Sequence, residues 1–354
     1  MSQIYPLRFV ILKTKTEWIL FMDENILEQL ENVPPNAEDA FENLTKLCNS
    51  FAEVNGISEE EHKRLNYELN LIKKWGIAKV FLFGLDLIKN DGFGVTYGIE
   101  GYSYVNYLLG VSTVNPVKYN LPFERFFNEH RKHLPVYNII VKKGRKGYLL
   151  KHLYEKFGKS RFIKSKEDNE IYFASSKPIN PRLISETKIV AKENEEAYQE
   201  NVSALSYVEL LRLGYYSFSI IEVKDIKYSE ELFYEGDIYE KYKNEFSYEN
   251  CRVETFTGID EIEKILKSTE YKLIYQEQVI EILNKICGFD LSKADYFRRE
   301  LAKAKRSTTE ELKNILTVQY GNAGENLYEY LIKNTRYTVQ KAYVIANLHV
   351  LIEY

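Results

Sequence analysis

Two short runs constrain the fold most. "VYNIIV" (136–141) and "YYSFSIIEV" (215–223) are dense in β-branched and aromatic residues, and both sit in a chain whose other segments carry helical spacing. Strand alternation puts Val136, Asn138 and Ile140 on one face of the first run, and Tyr137, Ile139 and Val141 on the other. The wider stretch "HLPVYNIIV" (133–141) contains no acidic residue. That absence becomes informative once the surrounding segments are placed.

Residues 37–53 predict an amphipathic helix with Phe41, Leu44, Leu47 and Cys48 on one side. Ser58 and Glu61 form a capping box for a second helix, Leu65, Leu69 and Ile72 follow at helical spacing, and Gly76 supplies its stop. "AKVFLFGLDLIK" (78–89) is a buried segment, strand or helix. "DGFGVTYGIEGYS" (91–103) reads as a glycine-punctuated loop, and "YVNYLLGV" as a short helix. Pro116 marks a turn, and Pro122 is placed to open a helix over "PFERFFNEHR". A basic helix is expected over 142–166, a strand over 170–176, and a mainly helical region from about Tyr228, clearest in "QEQVIEILNKI" and "KADYFRRELAKAK".

Composition excludes several classes. The 354 residues carry a net charge of −4 and are 45% hydrophobic, which suits a folded globular chain. No segment reaches transmembrane length, and no leader pattern precedes Lys13, so a cytoplasmic location without membrane contact is expected. Cys48, Cys251 and Cys287 are odd in number and far apart, which argues against a disulfide frame or a zinc ribbon. His130 and His133 have HxxH spacing, but no Cys or Asp nearby completes a site, so no metal and no cofactor are expected. The 29 tyrosines fit either an AT-rich coding sequence or stacking surfaces for bases.

Charge is distributed unevenly. Lys142, Lys143, Arg145, Lys146, Lys151, Lys156, Lys159, Arg161, Lys164 and Lys166 crowd one segment, with only Glu155 and Glu167 against them. Either a phosphate-backbone contact or a solvated helix face accounts for this. A second cluster, Arg298, Arg299, Lys303, Lys305 and Arg306, is open to the same two readings. Tyr275 and Gln278 in "YQEQV" fit packing and hydrogen bonding better than catalysis.

The order of these pieces resembles one family, the α subunit of bacterial replicative DNA polymerase III, the C family. "EEEHKRLNYELNLIKKWGIAKVFLFGLDLIK", "YSYVNYLLGVSTVNPVKYNLPFERFFNEHRKHLP" and "LLKHLYEKFGKSRF" resemble its palm. "YKLIYQEQVIEILNKICGFDLSKADYFRRELAKAK" resembles its fingers, most specifically in "YQEQV" and Ala294–Arg299, and "YVIANLHVLIEY" a later fingers helix more weakly. The resemblance implies an α+β fold: a palm of the polymerase-β nucleotidyltransferase type, a mixed sheet with helices, then a mainly helical fingers-like region. The expected division is a helical lead-in over 1–55, a palm-like domain over 56–225 with its thumb largely deleted, and shortened fingers over 226–354. The family's N-terminal phosphoesterase-like domain and its clamp-binding and OB-type regions have no counterpart in these residues.

A polymerase palm works through two divalent metals held by carboxylates. The resemblance implies an Asp-x-Asp pair on one strand and a third Asp on a neighbour. With Pro135 aligned, those positions fall at Val136, Asn138 and Ser219. None is acidic. The nucleotide loop is altered too: Gly94, Gly98, Gly101 and Ser103 remain, but Ile99 stands at the serine of the Gly-Ser pair. The expectation is therefore a catalytically inactive homolog that binds DNA or RNA, or a protein partner, in a bacterial or phage cytosol, in a mobile-element or antiviral defence setting. The surfaces named for nucleic acid are Lys142, Lys143, Arg145, Lys146, Lys151, Arg161, Arg298, Arg299 and Lys303. The alternatives are an active nucleotidyltransferase with relocated carboxylates, Glu222 or Asp225 among them, and an interaction scaffold that does not touch nucleic acid.

Overall fold

The computed structural model describes residues 37–89, 95–96, 98–130, 136–164, 170–174, 211, 215–228, 236–244, 253–304 and 306–353. Gly94, His133, Pro135, Lys166, Cys251 and Lys305 lie outside them, as do the side chains of Asp225 and Tyr172. The chain divides into two compact units. One takes in residues 1–126, 131–232 and 349–354, and the other residues 127–130 and 233–348.

The first unit opens with three helices, α1 (Ala37–Asn55), α2 (Glu59–Trp75) and α3 (Ala78–Lys89). The Ser58–Glu61 capping box forms in both directions, and Gly76 ends α2 in the left-handed conformation. The apolar 78–89 segment resolves as helix, and its Phe83 packs on the sheet while Phe81 packs on Phe126. Strand β1 (Val95–Thr96) follows, then a 3-10 turn over Ile99–Tyr102 and a short helix α4 (Tyr104–Leu108). Pro122 caps only a three-residue 3-10 turn, Phe123–Arg125, where a full helix was expected. Phe123, Glu124, Arg125 and Phe126 are all buried, so packing on every side overrides the local helical pattern.

The remaining strands are β2 (Val136–Lys142), β3 (Phe162–Lys164), β4 (Glu170–Ala174) and β5 (Tyr215–Val223), with helix α5 (Lys146–Phe157) after β2. They form a five-stranded mixed sheet in the order β1-β2-β5-β4-β3, parallel only between β2 and β5. A separate hairpin-like pair joins β6 (Asp225–Tyr228) to β7 (Val350–Glu353). The expected basic helix over 142–166 is shorter than predicted. It stops at Gly158, which has positive φ, and continues as a 3-10 turn and then as β3.

One face of the sheet is the core. Tyr137, Ile139, Phe173, Tyr216, Phe218 and Ile220 are buried there. The Phe83 ring of α3 lies 4.8 Å from that of Phe173, 5.1 Å from Tyr216 and 5.7 Å from Phe218. Leu149 and Leu153 of α5 are also buried, and Phe157 packs on Phe173 at 4.7 Å. Lys156 of α5 pairs with Asp86 of α3 at 2.7 Å. Burial of these aromatics contributes to the unit's hydrophobic stabilisation, at roughly 25 cal/mol per Å² of apolar area.

The second unit is mainly helical: α6 (Ile238–Tyr242), α7 (Asp260–Leu266), α8 (Gln276–Cys287), α9 (Leu291–Ala302), α10 (Arg306–Tyr320), α11 (Asn322–Asn334) and α12 (Lys341–His349). Leu266, Val279, Leu283, Leu301, Leu312, Leu316, Leu327 and Leu331 form its core. Helices α10 and α11 meet at Gly324, where a Cβ would lie 1.9 Å from the Leu316 carbonyl oxygen, so no larger residue fits. Among the described residues, no helix is long and apolar enough to cross a membrane.

Candidate functional site

The parallel ladder between β2 and β5 sets Val136 opposite Ser217 and Asn138 opposite Ser219. The antiparallel ladder between β5 and β4 sets Ser219 opposite Glu170. Since side chains alternate, Val136, Asn138, Ser217, Ser219 and Glu170 share the face away from the aromatic core. The three positions named from the sequence thus come together as one patch. Ser219 Oγ donates to Asn138 Oδ1 at 2.8 Å, and Asn138 Nδ2 lies 3.4 Å from the Val136 carbonyl. The two polar residues satisfy each other with neutral groups.

Two glutamates border this patch that the sequence reading missed. Glu100 reaches β2 from the 3-10 turn, and its Oε1 accepts the Asn138 backbone N–H at 2.5 Å. The carboxylate stands in for a strand carbonyl just past the point where β1 ends its pairing at Thr96. Glu100 is fully buried, and that burial pushes its carboxyl up to about 8, with the Asn138 N–H acting the other way. Its Oε2 is buried without a hydrogen-bond partner. Glu170 Oε2 lies 3.5 Å from Ser217 Oγ. Neither acid has a signal within its own segment, because only strand register and loop docking bring them here.

Of the nucleotide-loop remnant, Gly98, Gly101 and Ser103 are described, and they are held against β2 and α2. Gly98 has φ +136, and a Cβ there would come within 3.2 Å of Asn138 Nδ2 and 3.3 Å of Glu100 Oε2, so glycine permits the loop's close approach to β2. Gly101 is buried in the 3-10 turn. Ser103 caps α4, accepting from Asn106 N, and donates to Glu68 Oε2 at 2.7 Å. Glu68 also accepts from the backbone N–H of Tyr104 and Val105, with Arg64 as counter-ion at 2.6 Å. Residues 99–103 thus form a buried turn, anchored to α2 through Ser103.

Two divalent cations need several ionised oxygen ligands close together. Here the central positions offer an amide and a hydroxyl, and Glu100 favours its neutral form near neutral pH. Among the described residues, no group of three or more His, Cys, Asp or Glu is arranged to hold a metal ion. The described residues do not fit a two-metal centre. Glu222, one of the relocated acids considered, lies on the opposite face of β5, since the β2–β5 ladder runs from Ser217 to Val223 without a bulge. Its Oε1 accepts from Gly144 N at 2.9 Å and Lys146 N at 3.3 Å, at the head of α5.

The basic segment lies with that aromatic-packed side of the sheet. Lys143 and Lys151 are exposed, while Lys142, Arg145, Lys146 and Arg161 are half-buried. Lys146 Nζ donates to the Ile220 carbonyl, and Lys151 lies 3.7 Å from Glu155. Between Lys142 and Lys164 the chain contains a single carboxylate, Glu155.

The described members of the second basic cluster are engaged in ion pairs. Arg298 is only 5% exposed and donates from Nε to Asp295 at 2.9 Å, so it is an internal ion pair and not a surface contact. Arg299 pairs with the same carboxylate at 3.1 Å and donates to the His130 carbonyl. Asn128 completes the cage around Asp295 at 3.0 Å. Lys303 is held by Glu300, and Arg306 by Glu329 in a two-pronged bond. The i,i+3 and i,i+4 spacing of the acids facing Arg298, Arg299 and Lys303 was visible in the sequence as an ion-pair signal. Gln278 behaves as read, with Oε1 accepting from Ile274 N and Tyr275 N and Nε2 donating to Thr269.

Comparison with known proteins agrees with this architecture. Residues 38–168 match the bacterial DNA polymerase III alpha NTPase domain, and residues 222–323 match the finger domain of the same subunit. The DNA polymerase III subunit alpha of Staphylococcus aureus (strain COL) is 31% identical over 163 residues, covering 44% of this chain and 15% of the relative. That of Thermotoga maritima is 26% identical over 380 aligned positions, covering 83% of this chain and 45% of the relative. The chain spans less than half the length of these curated relatives. With the NTPase and finger domains matched in chain order, the chain is a homolog of part of the bacterial DNA polymerase III alpha subunit.

Proposed function

We propose that this chain is a catalytically silent member of its family that binds nucleic acid through the basic segment after β2, in the cytoplasm and alongside a protein partner. The observation that carries the silence is the hydrogen-bonded Asn138–Ser219 pair, where phosphoryl transfer needs ionised metal ligands. The observation that carries the binding is the charge imbalance from Lys142 to Lys164 in a chain of net −4. Lys142, Lys143, Arg145, Lys146, Lys151 and Arg161 are the contacts assigned, and the Arg298 cluster is not among them. The test pairs two assays on the same preparation. Labelled nucleotide is not incorporated on primed DNA with Mg²⁺ or Mn²⁺, while primed and single-stranded DNA bind with an affinity that falls steeply with salt. Incorporation above a metal-free control overturns the silent reading, and salt-insensitive binding overturns the electrostatic one.

A second reading has one observation in its favour. Glu100 and Glu170 flank the Asn138–Ser219 pair, so a relocated set of acids would be these and not Glu222. It requires metal-dependent incorporation that disappears in Glu170→Gln.

A further inference from the structure

Tyr148 is out of keeping with the rest of the palm's aromatics. Tyr137, Phe173, Tyr216 and Phe218 are essentially sealed, whereas Tyr148 on the first turn of α5 is 66% exposed. Among the described residues the other exposed tyrosines, Tyr67, Tyr271 and Tyr343, lie between 38% and 44%. Burying an aromatic ring is strongly favourable, and α5 buries Leu149 and Leu153 instead. The exposed ring also has a specific neighbour. The Arg145 guanidinium sits 5.1 Å from its centroid, in cation–π range. Exposed Lys143 lies just before this pair in the chain and exposed Lys151 just after it.

We propose that Tyr148, backed by Arg145, is a stacking platform for an unpaired nucleobase, with the flanking lysines holding the adjoining phosphates, so that this surface selects single strands over duplexes. The proposal rests on the reading of the basic segment as a nucleic-acid surface and adds its ligand class. Charge alone attracts both forms, because both present phosphates. A solvent-facing ring distinguishes them. In a duplex each base is already stacked and paired, whereas a single strand offers free π-faces at no unpairing cost. Stacking is indifferent to base identity, so the surface needs no base-reading side chain. Because α5 and Glu222 lie on the sheet face opposite Asn138, the strand held here does not run across the former catalytic patch.

The experiment measures fluorescence anisotropy of a labelled oligo-dT, an abasic oligomer of the same length and a hairpin duplex, at one salt concentration. The variants are Tyr148→Ala, Tyr148→Phe and a Lys143→Glu/Lys151→Glu double. Tyr148→Ala is expected to weaken oligo-dT binding about tenfold, to leave the abasic oligomer and the duplex unchanged, and to be rescued by Tyr148→Phe. The lysine double is expected to weaken all three probes. Equal loss on all probes in Tyr148→Ala, or no loss on oligo-dT, overturns the stacking platform while the lysine double still reports on the basic surface. No effect of the lysine double, or no binding by the unaltered chain, overturns the surface and the platform with it.

Discussion

The two faces of the palm sheet have been treated very differently. The core-facing side is an uninterrupted aromatic stack, with Phe83, Phe173, Tyr216 and Phe218 in ring contact and α3 and α5 covering them. The opposite side carries Val136, Asn138, Ser217, Ser219 and Glu170, with Asn138 and Ser219 hydrogen-bonded to each other at 2.8 Å, where the resemblance implies three aspartates. The first face is built from packed rings, and the second holds Asn138 and Ser219 hydrogen-bonded to each other. On the reading proposed above, the second face holds no metal, and the packed first face carries the fold.

The sharpest way to break this comparison is to measure stability on both faces. Phe83→Ala is expected to cost about 3–5 kcal/mol in urea unfolding, through reduced burial and a cavity between α3 and the sheet. Ser219→Ala removes one hydrogen bond on the other face and is expected to cost about 1 kcal/mol. Equal costs would mean that the polar patch also supports the fold. A second test restores the charge. The Val136→Asp/Asn138→Asp/Ser219→Asp variant is expected to melt lower than the unaltered chain without divalent metal, because three acids crowd one patch, and to regain stability with Mn²⁺ by mass action. The unaltered chain is expected to show no Mn²⁺-dependent change in melting temperature.

The basic segment gives a third test, again within one unit. The slope of log affinity against log salt for single-stranded DNA is expected to become shallower by about 0.7 for each lysine–phosphate pair that Lys143→Glu or Lys151→Glu breaks. Lys303→Glu, in the helical unit, is expected to leave the slope unchanged because Lys303 is already committed to Glu300.

A further test of the same unit comes from pH. Glu100 is raised in the folded chain from 4.5 to about 8, so the folded state holds a proton that the unfolded state releases. Its contribution is fully present below about pH 4.5 and is lost as pH rises through about 8. His349, buried beside Thr113 and near Lys118, is pushed down to about 4 from 6.5. Here the unfolded state takes up the proton first, so stability declines as pH falls from 6.5 toward 4. Urea midpoints across pH are expected to fall at both ends. Glu100→Gln is expected to flatten the alkaline limb only, and an unchanged alkaline limb would show that Glu100 does not hold a proton in the folded chain.

Much of the architecture was legible because it is local. The Ser58 box, the Gly76 stop, the strands at 136 and 215 and the helices at 276 and 291 each carry their signal within a few residues. That Val136, Asn138 and Ser219 share one face was legible through resemblance combined with strand alternation. What escaped was non-local or depended on competition. Glu100 and Glu170 reach the patch only through loop docking and cross-strand register, which periodicity does not encode. The helix expected from Pro122 gave way to packing on all sides. Arg298 was counted as surface charge although Asp295, three residues earlier, marked it for an ion pair. Tyr148 was one of 29 tyrosines in the sequence, and only its exposure sets it apart.

The most direct measurement is Mn²⁺ binding followed by electron paramagnetic resonance, with the unaltered chain and the triple aspartate variant compared in the presence of primed DNA and nucleotide. The account predicts that the unaltered chain leaves the free Mn²⁺ signal undiminished beyond a DNA-and-nucleotide control, while the triple variant removes part of it. Loss of the free signal on the unaltered chain, abolished by Glu170→Gln or Glu100→Gln, would contradict the account and identify a working metal site on the palm.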